Sequence, residues 1–176
     1  MTREAGRQDP AQPEAEAPAP AYELPQPGSC NSLALRKAMR RVSHLYDGVV
    51  ADTGLRMTQI SILIHIARAK APNMGELAGR LVLDRSALNE NLKPLIRAGL
   101  VENTPDPHDR RNRRVRLTPA GHTKLAASLE HWRTAQKRFE VAFGAADAAE
   151  LRRTLDRISS DAFAVAFDEE TRLADR

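Results

Sequence analysis

Five of the seven residues at positions 110–116 are arginine. Guanidinium groups at that density suit one kind of chemistry, paired charge-assisted hydrogen bonds to phosphate oxygens and base edges. The runs on either side, 100–104 and 114–117, alternate weakly and are too short for helices, so they read as a two-stranded ribbon around a loop. Arg110, Arg111, Arg113 and Arg114 cannot all be tolerated in a buried loop, which puts the tip in solvent. Asp106 and Asp109 are placed to pair with one or two of these arginines and brace the hairpin. A basic ribbon of this kind contacts phosphates or enters a minor groove; a run that merely solubilises the surface is the plainer reading.

Directly upstream, 85–98 reads as a helix capped by Asp84 or Ser86. Arg85, Ser86, Asn89, Glu90, Asn91 and Lys93 face outward, with Ala87 and Leu88 nearer the core. Asparagine can pair bidentately with adenine and arginine with guanine, while cations seat on phosphates. Alone, the face is equally an ordinary solvated helix surface. Next to the ribbon it becomes a reading helix, with Arg85, Ser86, Asn89, Asn91 and Lys93 as its contacts. Pro94 cannot donate to the Glu90 carbonyl and should kink or loosen the helix there.

These groups need a scaffold. Met74, Leu77, Ala78 and Leu81 step at helical spacing behind an Asn73 cap with Glu76 at its third position, a capping box. Val82 and Leu83 form a tight connection, so two short helices make a helix-turn-helix closed by Gly99. Upstream, Leu35, Met39, Val42, Tyr46 and Val49 form one helical stripe, broken at 52–54. Thr58 is read as the cap of the next helix, with Ile60, Leu63, Ile64 and Ala67 facing inward. After the ribbon, Thr118 and Pro119 open a long helix with Leu125, Leu129, Trp132, Gln136, Phe139 and Phe143 on one side. Gly144 stops it, and one last helix carries Leu151, Leu155, Ile158 and Ala162, then Phe163 and Phe167. The stripes of the first and last helices are most simply buried against each other and a second copy. The expected fold is mainly α with a small two-stranded β wing. It comprises a tail at 1–29, a helix of a dimerisation region at 30–57, a winged helix-turn-helix lobe at 58–118 and dimerisation helices at 119–176.

Composition sets the bounds. The formal charge is +4, but 1–29 carries Arg3 and Arg7 against Glu4, Asp9, Glu14, Glu16 and Glu23, a net of −3 that leaves the rest near +7. That tail holds six of the eleven prolines and cannot bury enough surface to fold. A basic body suggests a polyanionic partner. No run reaches the ~20 apolar residues of a membrane span and no signal-peptide pattern opens the chain, so the cytoplasm is the expected compartment. Cys30, the only cysteine, excludes an intrachain disulfide; at a helix start it is either a redox-sensor candidate or an inert thiol at a frayed end. The five histidines share no spacing that suggests a metal site. Tyr46, His65 and Trp132 are candidates for the wall of a ligand pocket, and core packing accounts for Tyr46 and Trp132 equally well. No catalytic constellation or cofactor motif is visible, so no enzyme activity and no cofactor are expected.

From about Cys30 to Phe167 the chain resembles the multiple antibiotic resistance regulator (MarR) family of bacterial winged-helix transcription factors. The resemblance is carried by MGELAGRL at 74–81, by Leu83-Asp84-Arg85-Ser86 and by Gly99-Leu100-Val101. Its most specific part is Asp106-Pro107-His108-Asp109-Arg110-Arg111 leading to Leu117-Thr118-Pro119-Ala120-Gly121. It implies a homodimer on a pseudo-palindromic duplex operator, usually a repressor released by a small phenolic or aromatic ligand, or in other members by cysteine oxidation. It further implies that Asp109 braces the wing and that Arg111 or Arg113 enters the minor groove. Two departures stand out: the stretch 87–94, which here includes Glu90 and Pro94, lacks a proline and carries Thr and Arg in many members, and Ser32 stands where some relatives have a second cysteine beside the position of Cys30. Two other readings stay open, a regulator sensing redox through Cys30 and a helical adaptor with a basic surface.

Overall fold

The structure is a computed structural model, and it describes residues 22–106 and 113–174. The expected tail falls mostly outside the described residues, as do His108, Asp109, Arg110 and Arg111. The chain divides into two compact units, 1–37 and 38–176. In the first, Ser29 closes a turn on the Gln26 carbonyl, and the Cys30 carbonyl accepts from Ala34 N as α1 (Asn31–Val50) begins.

In the second unit, α1 ends in a short 3-10 turn, Ala51–Thr53, and Gly54 adopts φ +68°, a conformation glycine enters freely. The Thr53 hydroxyl donates to the Val50 carbonyl at 2.7 Å, tightening that turn. Helix α2 runs Met57–Ala69. Thr58 is not its cap: the helix begins one residue earlier, behind Arg56. Asp47 Oδ1, from α1, instead accepts the Met57 N–H at 2.7 Å, while Gln59 reaches back to Arg56 N. A carboxylate at the first N–H of the helix also complements its dipole.

Helices α3 (Met74–Leu81) and α4 (Arg85–Arg97) follow. Then come β1 (Val101–Pro105) and β2 (Arg113–Leu117), paired antiparallel with Val101 opposite Leu117 and Asn103 opposite Val115. The alternation puts Val101, Val115 and Leu117 on the core side. They close over Ile60, Leu63 and Ile66 of α2, Leu77 of α3 and Leu88, Leu92 and Leu95 of α4, all nearly or fully buried.

Helix α5 runs Pro119–Phe143, with the Thr118 hydroxyl accepting from Gly121 N and donating to the Gly99 carbonyl. Gly121 is required by space: a Cβ there would lie 2.0 Å from the Leu100 carbonyl oxygen. The single last helix expected from sequence is two, α6 (Ala145–Ile158) and α7 (Asp161–Ala174). Ser160 makes the break, its hydroxyl donating to the Arg157 carbonyl and accepting from Phe163 N. Mainly helical with one small ribbon, the lobe is a winged helix-turn-helix.

Candidate nucleic-acid interface

The helix-turn-helix is built from local capping. Asn73 Oδ1 accepts from Glu76 N and Glu76 returns to Asn73 N, both at 2.9 Å, completing the expected capping box. Val82 takes a left-handed conformation at φ +52°, turning the chain between the helices. Asp84 caps α4, accepting from Ala87 N at 2.7 Å. With Leu88, Leu92 and Leu95 held in the core, geometry forces Arg85, Ser86, Asn89 and Lys93 to the opposite, exposed face. The helix continues through Pro94 to Arg97.

Two residues of that face behave differently. Asn91 is half-buried, and its Nδ2 donates to the Ala87 carbonyl at 2.8 Å, so its amide serves the helix itself. Glu90 is paired with Lys93 at 2.6 Å, which offsets the repulsion a lone carboxylate would exert on phosphate. Arg85 reaches back over the first turn of α3, where a Cβ on Gly75 would stand 3.1 Å from its guanidinium.

The wing sorts its arginines. Arg113 is exposed and lies across the ribbon, donating from Nε to Asn103 Oδ1 at 3.0 Å and from its terminal nitrogen to the Asn103 carbonyl. Arg114, expected among the DNA contacts, turns inward. Its Nε meets Asp106 Oδ2 at 2.6 Å and its Nη1 donates to the Ala71 carbonyl at 3.1 Å. Pro72 O also accepts from Val115 N at 2.9 Å, tying the α2–α3 turn to the outer edge of β2. Asp106 therefore sits in a bracing position, 5% exposed at the base of the loop. Arg116 faces solvent.

Away from this face, α1 and α5 meet around Tyr46. Its hydroxyl donates to Gln136 Oε1 at 3.0 Å, and Gln136 passes a donor to Glu140 at 2.8 Å. Burial, with Glu140 adding to it, raises the Tyr46 phenol above its ordinary pKa. The Tyr46 ring meets Phe139 at 6.2 Å, and Phe139 meets Phe143 at 5.4 Å. A cleft of about 470 Å³ opens here, walled by Val42, Leu45, Tyr46, Phe139 and Phe143 with Arg41 and Arg138 among its lining. His65 and Trp132 are not part of that wall; His65 Nδ1 lies 2.8 Å from the Ser61 carbonyl, one turn back on α2. Met39, Leu45, Val141, Phe143, Phe163, Val165 and Phe167 remain exposed on α1, α5 and α7. Cys30 is half-buried at the start of α1. Among the described residues no His, Cys, Asp and Glu group could hold a metal ion, and no helix is long and apolar enough to cross a membrane.

Sequence reasoning missed Asp47 and the inward turn of Arg114. Both act across gaps in sequence, Asp47 ten residues before its partner and Arg114 forty-three after Ala71.

The MarR family profile matches residues 53–112, from the turn before α2 into the wing. Among solved structures, the M. tuberculosis transcriptional regulator MOSR in complex with DNA is 31% identical, with 77% of this chain and 98% of that one covered at a TM-score of 0.69. The transcriptional repressor CouR, bound to a 23-mer DNA duplex, is 27% identical, with 74% and 93% covered at a TM-score of 0.69. A mutant MarR from E. coli complexed with operator DNA, 22% identical with 72% and 91% covered, shares the fold at a TM-score of 0.66. The curated proteins give no match.

Proposed function

The chain belongs to the MarR family of transcriptional regulators, and from that premise we propose that it is a homodimeric repressor that grips a pseudo-palindromic operator and is released by a small ligand. It is a regulator of transcription and not an enzyme. The observation that carries the reading is the exposure of Arg85, Ser86, Asn89 and Lys93 of α4 on the same lobe as the exposed wing residue Arg113. Helix α4 fits a major groove, its polar side chains meeting base edges and its cations phosphates. The wing arginines Arg110, Arg111 and Arg113 serve the flanking minor groove or backbone.

The apolar side chains that α1, α5 and α7 leave in solvent support dimerisation. Exposed apolar surface of this extent on helices flanking a folded lobe marks an association face. A two-fold pair of lobes then meets half-sites about one duplex turn apart, on the order of 34 Å. The MOSR and CouR complexes with DNA support a duplex as the partner.

Footprinting of the DNA flanking its gene tests the proposal. A symmetric protected site with two half-sites is the expected result, lost when aromatic acids from a panel are added. A protein that protects no palindrome at any concentration is an adaptor with a basic surface, and the proposal fails. Protection that no acid relieves removes the ligand-release part.

A further inference from the structure

The outermost line of α4 runs through Ser86, Glu90, Lys93 and Arg97, at i, i+4, i+7 and i+11, opposite the buried Leu88, Leu92 and Leu95. All four are exposed. Glu90 therefore stands in the middle of the face that α4 would turn to a major groove. Its Oε1 accepts from Lys93 Nζ at 2.6 Å. We propose that Glu90 and Lys93 act as one unit that reads a C·G base pair in each operator half-site. The inference rests on the proposed function, which makes α4 the reading helix.

The carboxylate selects the base. An ionised Glu90 can only accept hydrogen bonds, and phosphates repel it. In the major groove the donors on base edges are the exocyclic amines, N4 of cytosine and N6 of adenine. Their neighbours differ. Across an A·T pair, N6 stands between adenine N7 and thymine O4, acceptors that repel a carboxylate from both sides, with the thymine methyl beyond. Across a C·G pair, N4 has an acceptor on one side alone, guanine O6, followed by N7. Glu90 thus fits cytosine better than adenine.

Lys93 completes the match. Its bond to Glu90 uses one of three ammonium hydrogens and one of two carboxylate oxygens. The remaining hydrogens suit O6 and N7 of guanine, and Oε2 suits N4 of the cytosine paired with it. An acceptor beside a donor on the protein thus meets a donor beside two acceptors on the base pair. The ion pair carries no net charge, so it enters the groove without the repulsion a lone carboxylate meets. Both side chains are more than half exposed, which leaves them open to a base edge. The same spacing recurs at Glu130 and Arg133 on α5, where it is ordinary surface pairing. Position on α4 is what gives the Glu90–Lys93 pair a base to read.

Selection from randomised duplexes, read by sequencing at one ionic strength, tests this with the full chain as wild type, Glu90→Gln, Lys93→Gln and Glu130→Gln. Wild type is expected to enrich a C·G pair at one symmetric position of each half-site. Placing A·T there should weaken binding about tenfold, the usual effect of one lost base contact. Glu90→Gln is expected to shift that position toward A·T, since a carboxamide pairs with adenine N6 and N7, and Lys93→Gln to weaken the C·G preference. Both should keep the wild-type bases elsewhere. Glu130→Gln removes an equivalent charge away from α4 and should select as wild type does. The proposal is overturned if Glu90→Gln enriches the same sequences at every position or binds all duplexes more tightly by one factor. An unaltered C·G preference in Lys93→Gln, or a shift at that position in Glu130→Gln, overturns it as well. A wild type that enriches a palindrome without such a C·G pair overturns this inference alone, and one that enriches no palindrome overturns the proposed function with it.

Discussion

Arg114 and Asp106 form a 2.6 Å ion pair at the base of the wing, with the Asp106 side chain 7% and the Arg114 side chain 32% exposed. The second guanidinium nitrogen holds the Ala71 carbonyl, so one arginine joins the loop base, β2 and the turn between α2 and α3. This geometry gives Arg114 bracing contacts within the protein. Asp106→Asn is expected to lower the unfolding free energy by about 1–2 kcal/mol, toward the lower end for a charge-assisted bond because Arg114 keeps contact with water. Urea denaturation checks this. Arg114→Ala should weaken duplex binding while leaving its salt dependence unchanged. A slope smaller by roughly one phosphate contact would make Arg114 a DNA contact instead.

Asp47 caps α2 from α1, one residue after Tyr46. Asp47→Ala is expected to cost about 1 kcal/mol, the usual loss for a helix N-cap acceptor. Because the bond joins α1 to the lobe, the same substitution should loosen the α2 N-terminus, seen as faster amide exchange at Met57. Unchanged exchange there would show that the bond does not hold in solution.

Gly121 lies under the Leu100 carbonyl, and Gly79 has open space at its Cβ position. Gly121→Ala is expected to destabilise by more than about 3 kcal/mol, since a backbone carbonyl has to move. Gly79→Ala, on the exposed side of α3, should stabilise by roughly 0.5–1 kcal/mol through the gain in helix propensity. Thermal melting of the two proteins side by side gives opposite shifts if the packing is as described.

Tyr46→Phe removes the only donor that this phenol offers to Gln136 and should cost about 1 kcal/mol near neutral pH. The pH dependence has a definite sign. The folded phenol titrates above its ordinary value of 10.0, chiefly because it is buried. Its contribution is thus complete below 10.0 and declines as the pH rises through the folded pKa. The stability gap between wild type and Tyr46→Phe should narrow across that interval. A gap that widens would place the tyrosinate, not the phenol, in the favoured state.

Short-range signals carried most of the fold. The Asn73 and Glu76 capping box, the Thr118-Pro119 helix start and the strand alternation around Val101 and Val115 are each decided within a few residues. The exposed face of α4 was legible too, because Leu88, Leu92 and Leu95 fix which side is buried. Contacts set by tertiary approach were not. Asp47 gives no sign in its own neighbourhood that it caps another helix, and Thr58 is the better cap by type but lies inside the first turn. Arg114 is indistinguishable by sequence from Arg113 one position earlier; strand alternation sends the one to Asp106 and the other across Asn103. The break at Ser160 lacks glycine or proline, and a serine hydroxyl makes it. Pairing a carboxamide with the helix backbone, as Asn91 does with Ala87, is also invisible until the rotamer is known.

The central claim is that wing arginines grip duplex DNA beside α4. Operator affinity measured across a salt series for wild type, Arg111→Ala, Arg113→Ala and the double variant tests it most directly. Each single substitution is expected to weaken binding and to reduce the slope of log K against log salt by roughly 0.9, with the double variant losing both contributions. Unchanged affinity and slope in both single variants and in the double variant would contradict it.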